Sequence, residues 1–361
     1  MVRIRSFAKI NLGLCIGPLR PDGFHELRTV YQTIALHDVI RVQLTRGTGI
    51  EIRCEDPRVP KDESNTCYRI VGRAMEALKA RGRVTVDIEK RLPVQGGLGG
   101  ASGNAVAALL ALERAVKRKL PGPERLQIAA EVGSDLPLFL IAGTVLGVGH
   151  GEEVYPLPDL PSLPCVVALP PVAVATPKAF AEWDKKAGGT ASPEVAELRS
   201  TRTGQRPVPT QTAEGGRPHT DSGKLTLSKP SDRMMEFSRM LAGWLSSQSD
   251  IISGRALSGV SAKGRGRAET PLLDLVHTGI ENDFEQVVFP QYPELREVKR
   301  GLEHAGAFYA SLSGSGSAVY GLFLSPRKAR QAVAALKKSG TGAVRTSTLT
   351  RRRYWNRIFD C

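Results

Sequence analysis

Leu92–Ala105 reads Leu-Pro-Val-Gln-Gly-Gly-Leu-Gly-Gly-Ala-Ser-Gly-Asn-Ala and runs straight into an apolar stretch. A glycine-rich turn that opens a helix presents backbone N–H groups and the positive end of the helix dipole, which together bind phosphate. Small residues let the backbone approach the ligand closely. No Gly-Lys-Ser/Thr follows, so this is not a Walker A loop, and it is not a clean GxGxxG either. On glycine content alone, the segment also reads as a flexible turn between strand and helix. Two charged residues could act beside a phosphate. Asp135, in Gly133-Ser134-Asp135-Leu136-Pro137, can accept the proton of an attacking hydroxyl. Lys9, in Ser6-Phe7-Ala8-Lys9-Ile10-Asn11-Leu12, can neutralise charge and keep that carboxylate ionised. Taken alone, Asp135 equally suits a helix cap, and Lys9 a solvated strand lysine.

The elements that must hold these residues are of mixed type. Val2–Ile16, Tyr31–Leu44, Ile50–Cys54 and Val84–Ile88 are β-branched and partly alternating, which predicts strands. Asn65–Arg81 places Ile70, Val71, Ala74, Ala77 and Leu78 at helical spacing. Ala101–Val116 and Glu124–Val132 predict two more helices. The prolines from Pro156 to Pro171 predict a change of domain where only edge strands and turns form. Ala187–Ser231 is dense in Gly, Ser, Thr and Pro, a composition that cannot bury enough surface to offset chain entropy. It predicts a disordered insertion at 185–269, with one short helix near Met234–Leu245. Beyond it, helices are expected at Pro293–Ala305 and Arg327–Lys338, around a strand–turn–strand at Phe308–Leu324.

The net charge of +14 over 361 residues raises the question of polyanionic partners. Its location answers it. Residues 185–270 hold 14 basic and 8 acidic groups, and residues 337–361 hold 7 and 1, which leaves the main body nearly neutral. Aromatic residues scarcely interleave with the charges of the insertion, where only Phe237 and Trp244 occur, which argues against an RNA-binding protein. The five cysteines form no CxxC pair and join no histidine at metal-ligand spacing, so reduced thiols are expected. Leu136–Gly151 is uncharged but too short and glycine-rich to span a membrane, and Leu160–Pro177 carries five prolines. A cytoplasmic protein is expected, as monomer or homodimer.

Further segments stand in order around the loop. Arg20-Pro21-Asp22-Gly23-Phe24-His25 follows the Lys9 segment, and Ser311-Leu312-Ser313-Gly314-Ser315-Gly316-Ser317-Ala318 forms a second glycine-serine turn late in the chain. With the Asp135 segment, this set resembles the GHMP small-molecule kinase superfamily over 1–184 and 270–345. The Arg-Pro-Asp-Gly-Phe-His segment is similar to the branch acting on a cytidyl-diphosphate methylerythritol, and argues against the homoserine and mevalonate kinase branches.

The resemblance implies an α/β (α+β) fold of two GHMP domains. These are a ribosomal-S5-like, ATP-binding domain at 1–155, with a left-handed βαβ crossover, and a C-terminal α/β sandwich domain at 156–345. A basic tail at 346–361 has no counterpart. The implied reaction moves the ATP γ-phosphate to the tertiary hydroxyl at carbon 2 of the methylerythritol unit, in non-mevalonate isoprenoid synthesis. Lys9 and Asp135 are the implied catalytic pair. Pro93, Val94, Gln95, Gly96, Gly97, Leu98, Gly99, Gly100, Ala101, Ser102 and Gly103 match the phosphate loop, with Asn65 and Lys90 lining the purine pocket. Mg²⁺ is expected with ATP, with no protein ligand assigned. Asn11, Phe24, His25 and Phe180 match the substrate site, where His25 would hydrogen-bond the pyrimidine and the two rings would stack on it. Phe24 stands where the family usually has tyrosine. Gly99-Gly100-Ala101-Ser102-Gly103-Asn104-Ala105 stands where it reads Gly-Gly-Gly-Ser-Ser-Asn/Asp-Ala, so one hydroxyl is missing. Restoring it as Gly103→Ser is expected to leave activity equal or modestly higher.

Overall fold

The computed structural model describes residues 1–186, 234–239, 241 and 280–359. Strands β1 (Val2–Leu19) and β2 (His25–Thr45) form one long antiparallel hairpin, as their β-branched pattern predicts. Its register shifts at Phe7/Ala8, Asn11/Gly13 and Ile16/Leu19. Such bulges increase local twist and bend the strand. Accordingly β2 serves two neighbours: Val39–Thr45 pairs with β4 (Arg83–Glu89), and Thr29–Gln32 pairs with β5 (Thr144–Val148). β3 (Ile50–Cys54) lies parallel to β4, and β6 (Glu153–Pro156) antiparallel to β5.

Helices α1 (Thr66–Ala77), α2 (Gly100–Val116), α3 (Gly122–Val132) and α4 (Leu136–Ile141) close the core of this first sheet. α2 is buried along nearly its whole length from Gly103 to Glu113, which explains its apolar run of Ala and Leu. The uncharged stretch 136–151 is thus α4 followed by β5. Among the described residues, no helix is long and apolar enough to cross a membrane.

The second sheet runs β10-β7-β9-β8 and is antiparallel throughout, with β7 (Pro164–Leu169), β8 (Tyr309–Leu312), β9 (Val319–Leu322) and β10 (Gly342–Ser347). Helices α5 (Thr176–Lys186), α6 (Glu285–Gln291), α7 (Pro293–His304) and α8 (Pro326–Lys338) share its core. The proline-rich stretch expected to carry only edge strands therefore holds β7, an inner strand. Its prolines fall at the strand start and just beyond its end, so no ladder donor inside it is lost.

Two further expectations are corrected. The basic segment 346–361 is not a tail, because Arg351–Ile358 forms α9, which buries Tyr354 and Ile358 in the first-sheet core while Arg352, Arg353 and Arg357 face outward and Arg351 donates to the carbonyls of Thr144 and Leu157. Leu349 N donates to Thr33 O, and Gln32 Nε2 to Leu349 O, which ties this end of the chain to β2. The insertion is not wholly detached either. Disorder over 187–231 concerns residues outside those described, but 234–239 are helical, inside the expected short helix at Met234–Leu245. Met234, Phe237 and Leu241 are buried beside Ile280 and the β1 residues Leu12 and Cys15, and Arg28 donates to the carbonyl of Met234. We expect Phe237→Ala to destabilise the fold by about 3 kcal/mol, the usual cost of emptying a buried phenylalanine site. Urea unfolding measures it, and a shift under about 0.5 kcal/mol, the range of surface substitutions, would return this segment to the solvent.

Candidate active site

Lys9 sits mid-β1 with 3% of its surface exposed. A buried ammonium requires acceptors, and its Nζ lies 2.7 Å from Asn11 Oδ1 and 3.6 Å from Asp135 Oδ2. Burial pushes the Lys9 ammonium below its usual range, while the Asp135 carboxylate opposes that shift. Asn11 is fixed in turn, since its Nδ2 donates to Thr29 Oγ1 at 2.8 Å and its carbonyl accepts from the Tyr320 hydroxyl at 2.6 Å. Asp135 stands at the start of α4 but caps nothing with its side chain. Its Oδ1 accepts instead from the Tyr31 hydroxyl at 2.9 Å. Burial, then the charge of Asp135, raise the Tyr31 phenol well above its ordinary range, so it stays a donor. Tyr31 escapes sequence reasoning, because 104 positions separate it from Asp135 and no local pattern joins them.

The glycine-rich loop arrives beside this pair. Lys9 N donates to Leu98 O at 3.0 Å. Gly99 has φ +68°, and a Cβ there would stand 3.0 Å from both Lys9 Cγ and Phe139 Cζ. No side chain caps α2, so the N–H groups of its first turn are left for a ligand. The loop lines a cavity of about 360 Å³ that also contains Asn65 and Lys90, and every expected nucleotide residue from Pro93 to Ser102 borders it. Gly103 does not border it. Arg58, Pro60, Thr66 and Asn104 do, and only the last lay within a motif. Asn104 Oδ1 is buried there without a partner.

Asn65 and Lys90 have structural duties as well. Asn65 caps α1 through Cys67 N at 2.8 Å, and its Nδ2 donates to Pro60 O at 2.6 Å. Lys90 is no exposed strand-end charge, for its Nζ meets the fully buried Asp38 at 2.5 Å. Asp38 also accepts from the backbone N–H groups of Arg91 and Leu92, both at 2.7 Å, and so anchors the entry to the loop. The second glycine-serine turn presses onto the loop's other side. Ser313 Oγ donates to Gly97 O at 2.9 Å, and a Cβ on Gly97 would lie 2.0 Å from the Ser313 carbonyl oxygen. Asn282 holds that turn by donating to Leu312 O and Gly314 O at 2.8 Å.

The expected substrate side chains gather at the domain junction. His25 and Phe180 lie face to face, with centroids 5.5 Å apart and planes 3° apart. Both ring nitrogens of His25 already meet acceptors, Gly17 O at 3.0 Å and Asp184 Oδ1 at 2.6 Å. This corrects the expectation that the imidazole is free for a pyrimidine edge. Asp184 lies one helical turn beyond Phe180 on α5, an i, i+4 pair that sequence inspection could have found. Phe24 is 39% exposed and leans on His150 at 4.8 Å. His150 also contacts Asp22 Oδ2 at 3.1 Å and so props the Phe24 turn.

A glycine-rich helix start with uncapped N–H groups beside a buried lysine and its half-buried aspartate partner, at the junction of two such sheets, marks a small-molecule kinase of the GHMP type. Residues 65–143 match the family of GHMP kinases N terminal domains, and residues 269–342 that of GHMP kinases C terminal domains. The chain is 33% identical to the 4-diphosphocytidyl-2-C-methyl-D-erythritol kinase of Solibacter usitatus (strain Ellin6076), over 99% of this chain and 92% of that one. It is 31% identical to the same-named enzyme of Acaryochloris marina (strain MBIC 11017), over 90% and 88%. A crystal structure of 4-(cytidine 5'-diphospho)-2C-methyl-D-erythritol kinase superposes with a TM-score of 0.64 at 26% identity, covering 96% of this chain and 99% of that one. The homoserine kinase of Cytophaga hutchinsonii shares the fold, with a TM-score of 0.63 at 18% identity over 97% and 94%. The chain belongs to the 4-diphosphocytidyl-2-C-methyl-D-erythritol kinase family.

Gly103 gives the site its sharpest test. A Cβ there would lie 2.9 Å from both the Phe7 carbonyl oxygen and Ser6 Oγ, where α2 crosses β1. Glycine is therefore a packing requirement in this chain, against the expectation that serine would fit. Gly103→Ser should cost about 1–3 kcal/mol of stability, the range for overpacking, without raising kcat. Chemical denaturation together with steady-state kinetics decides it, and an unchanged midpoint with equal or higher kcat would restore the original expectation.

Proposed function

We propose that the chain transfers the γ-phosphate of ATP to the carbon-2 hydroxyl of 4-diphosphocytidyl-2-C-methyl-D-erythritol, as a cytoplasmic enzyme of isoprenoid precursor synthesis. The observation that carries this is the Lys9–Asp135 contact, set between the glycine-rich loop and the His25–Phe180 ring pair. Phosphoryl transfer asks the protein mainly for positioning and charge stabilisation. Asp135 receives the proton of the attacking hydroxyl. The Tyr31 hydroxyl and Lys9 ammonium hold its two oxygens in place. Lys9 also offsets negative charge gathering on the transferred group. The free N–H groups at the start of α2, with Gly97 and Gly99 at positive φ, suit the phosphates of ATP. Phe180 offers a face for stacking a pyrimidine, and His25 orients that face from the other side rather than reading the base directly.

The residues at the phosphate end also suit Mg²⁺. Among the described residues no cluster of three or more His, Cys, Asp or Glu could hold a metal by itself. Mg²⁺ usually keeps several waters and takes one or two carboxylates plus substrate phosphates. Asp135 is the carboxylate at hand, and the unpartnered Asn104 Oδ1 is a neutral acceptor within the nucleotide cavity. The metal would neutralise phosphate charge.

Asp135→Asn should reduce kcat by about 100-fold or more, a usual general-base contribution, with KM for ATP little changed. It also removes the anion that supports the Lys9 ammonium. The ammonium then deprotonates at lower pH, so the alkaline limb of the residual activity moves acid-ward. Wild-type-like kcat in a coupled ADP-release assay with the cytidyl substrate would remove Asp135 from the mechanism. Tyr31→Phe should lower kcat by about 10-fold, the scale of one hydrogen bond to a charged group, and leave the melting temperature close to wild type. Equal kcat in that variant would reduce Tyr31 to a packing residue.

A further inference from the structure

Beside the entry to the phosphate loop, the two domains line an open cavity of about 700 Å³, well within the size range of small-molecule sites. Its walls come from the bend of β2, the strand end that leads into the loop, the edge strand β10 and the last helix α9. Arg91, Arg345, Arg357 and His37 border it, and no carboxylate does. Arg91 is engaged by Glu89, but neither Arg345 nor Arg357 has a carboxylate partner among the described residues. Thr346 Oγ1 is buried on the same wall without a hydrogen-bond partner. A buried hydroxyl left unpaired is costly, and it asks for an acceptor. Apart from Ser162 and Ser347, the rest of the wall is apolar, formed by Ala35, Leu36, Leu92, Leu169, Val344 and prolines.

We propose that this cavity binds a small organic phosphate, with the anionic head on Arg345, Arg357 and the Thr346 hydroxyl and the apolar body against Leu36, Leu169 and Val344. Guanidinium groups match phosphate geometry through paired donors, and the hydroxyl supplies one more. His37 reports the same positive surroundings. Its Nδ1 donates to Ala35 O at 2.9 Å, and burial, reinforced by Arg5 and Arg91, holds it below the usual histidine range. The neutral ring thus adds no charge, and the anion-binding capacity rests on the arginines. This is a second site, separate from the nucleotide cavity, since apart from Pro93 the two share no lining residue.

The test is calorimetric titration of the full chain with n-hexyl phosphate, inorganic phosphate and n-hexanol. A non-hydrolysable ATP analogue is kept saturating so that the phosphate loop is blocked. Hexyl phosphate should bind one to one, and at least about 10-fold more tightly than either half of it alone, since each end makes its own contacts. Arg345→Ala/Arg357→Ala should weaken that binding by about 10-fold or more, for the loss of charge-assisted bonds, with KM for ATP within about twofold of wild type. Thr346→Val, which keeps the shape and removes the hydroxyl, should weaken it less but measurably, at an unchanged melting temperature. Absence of binding, or equal affinity in the double arginine variant, would overturn the site. Inorganic phosphate binding as tightly as hexyl phosphate would overturn the apolar half of the proposal.

Discussion

An ammonium with almost no access to water persists only where acceptors enclose it, and the architecture around Lys9 follows from that requirement. Asn11 supplies one acceptor from the same strand, and Asp135 supplies the counter-charge from the start of α4. Each acceptor then needs its own support. Thr29 and Tyr320 hold Asn11, while Tyr31 holds Asp135. Tyr320 belongs to the second sheet, so the support of one buried lysine already crosses the domain boundary. Burial and the carboxylate pull the lysine in opposite directions, which keeps its charge dependent on its partner.

The second constraint is backbone proximity. Gly97 and the Ser313 carbonyl stand so close that any side chain at 97 would collide with it. The two glycine turns therefore work as a single unit, one leading to the uncapped N–H groups of α2 and the other fixing its path. Asp38 performs the matching task at the loop's entrance, where it binds two successive backbone N–H groups and the Lys90 ammonium. Rigid anchoring at both ends suits a loop that must present preorganised donors.

How much of this could be read beforehand depended on distance along the chain. The loop Leu92–Ala105, the helices at 66–77 and 100–116 and the β1–β2 strands rest on local spacing, and all stood out. Pairs such as Tyr31–Asp135 and His25–Asp184 join residues more than a hundred positions apart, so no periodicity signals them. The inner strand β7 was obscured by its flanking prolines, and α9 by its arginines, although Tyr354 and Ile358 stand four apart on one face. Gly103 shows a subtler limit. A missing hydroxyl in a motif looks like a lost contact, whereas the structure shows a helix lying too close to β1 for any side chain.

The return of the chain's end to the first sheet has a consequence for biosynthesis. Leu349, Tyr354 and Ile358 sit in the same core as Ile4, Phe7 and the interior of α2. Domains usually fold as units during synthesis, the N-terminal one first. Here the N-terminal unit lacks part of its interior until residues 349–358 have been made. A partly completed chain carries the β1–β2 hairpin and the phosphate loop with an open seam along β1. Completion of the first-sheet core is thereby coupled to synthesis of residues 349–358, and a chain stopped before them is left with exposed apolar surface that quality-control proteases can recognise.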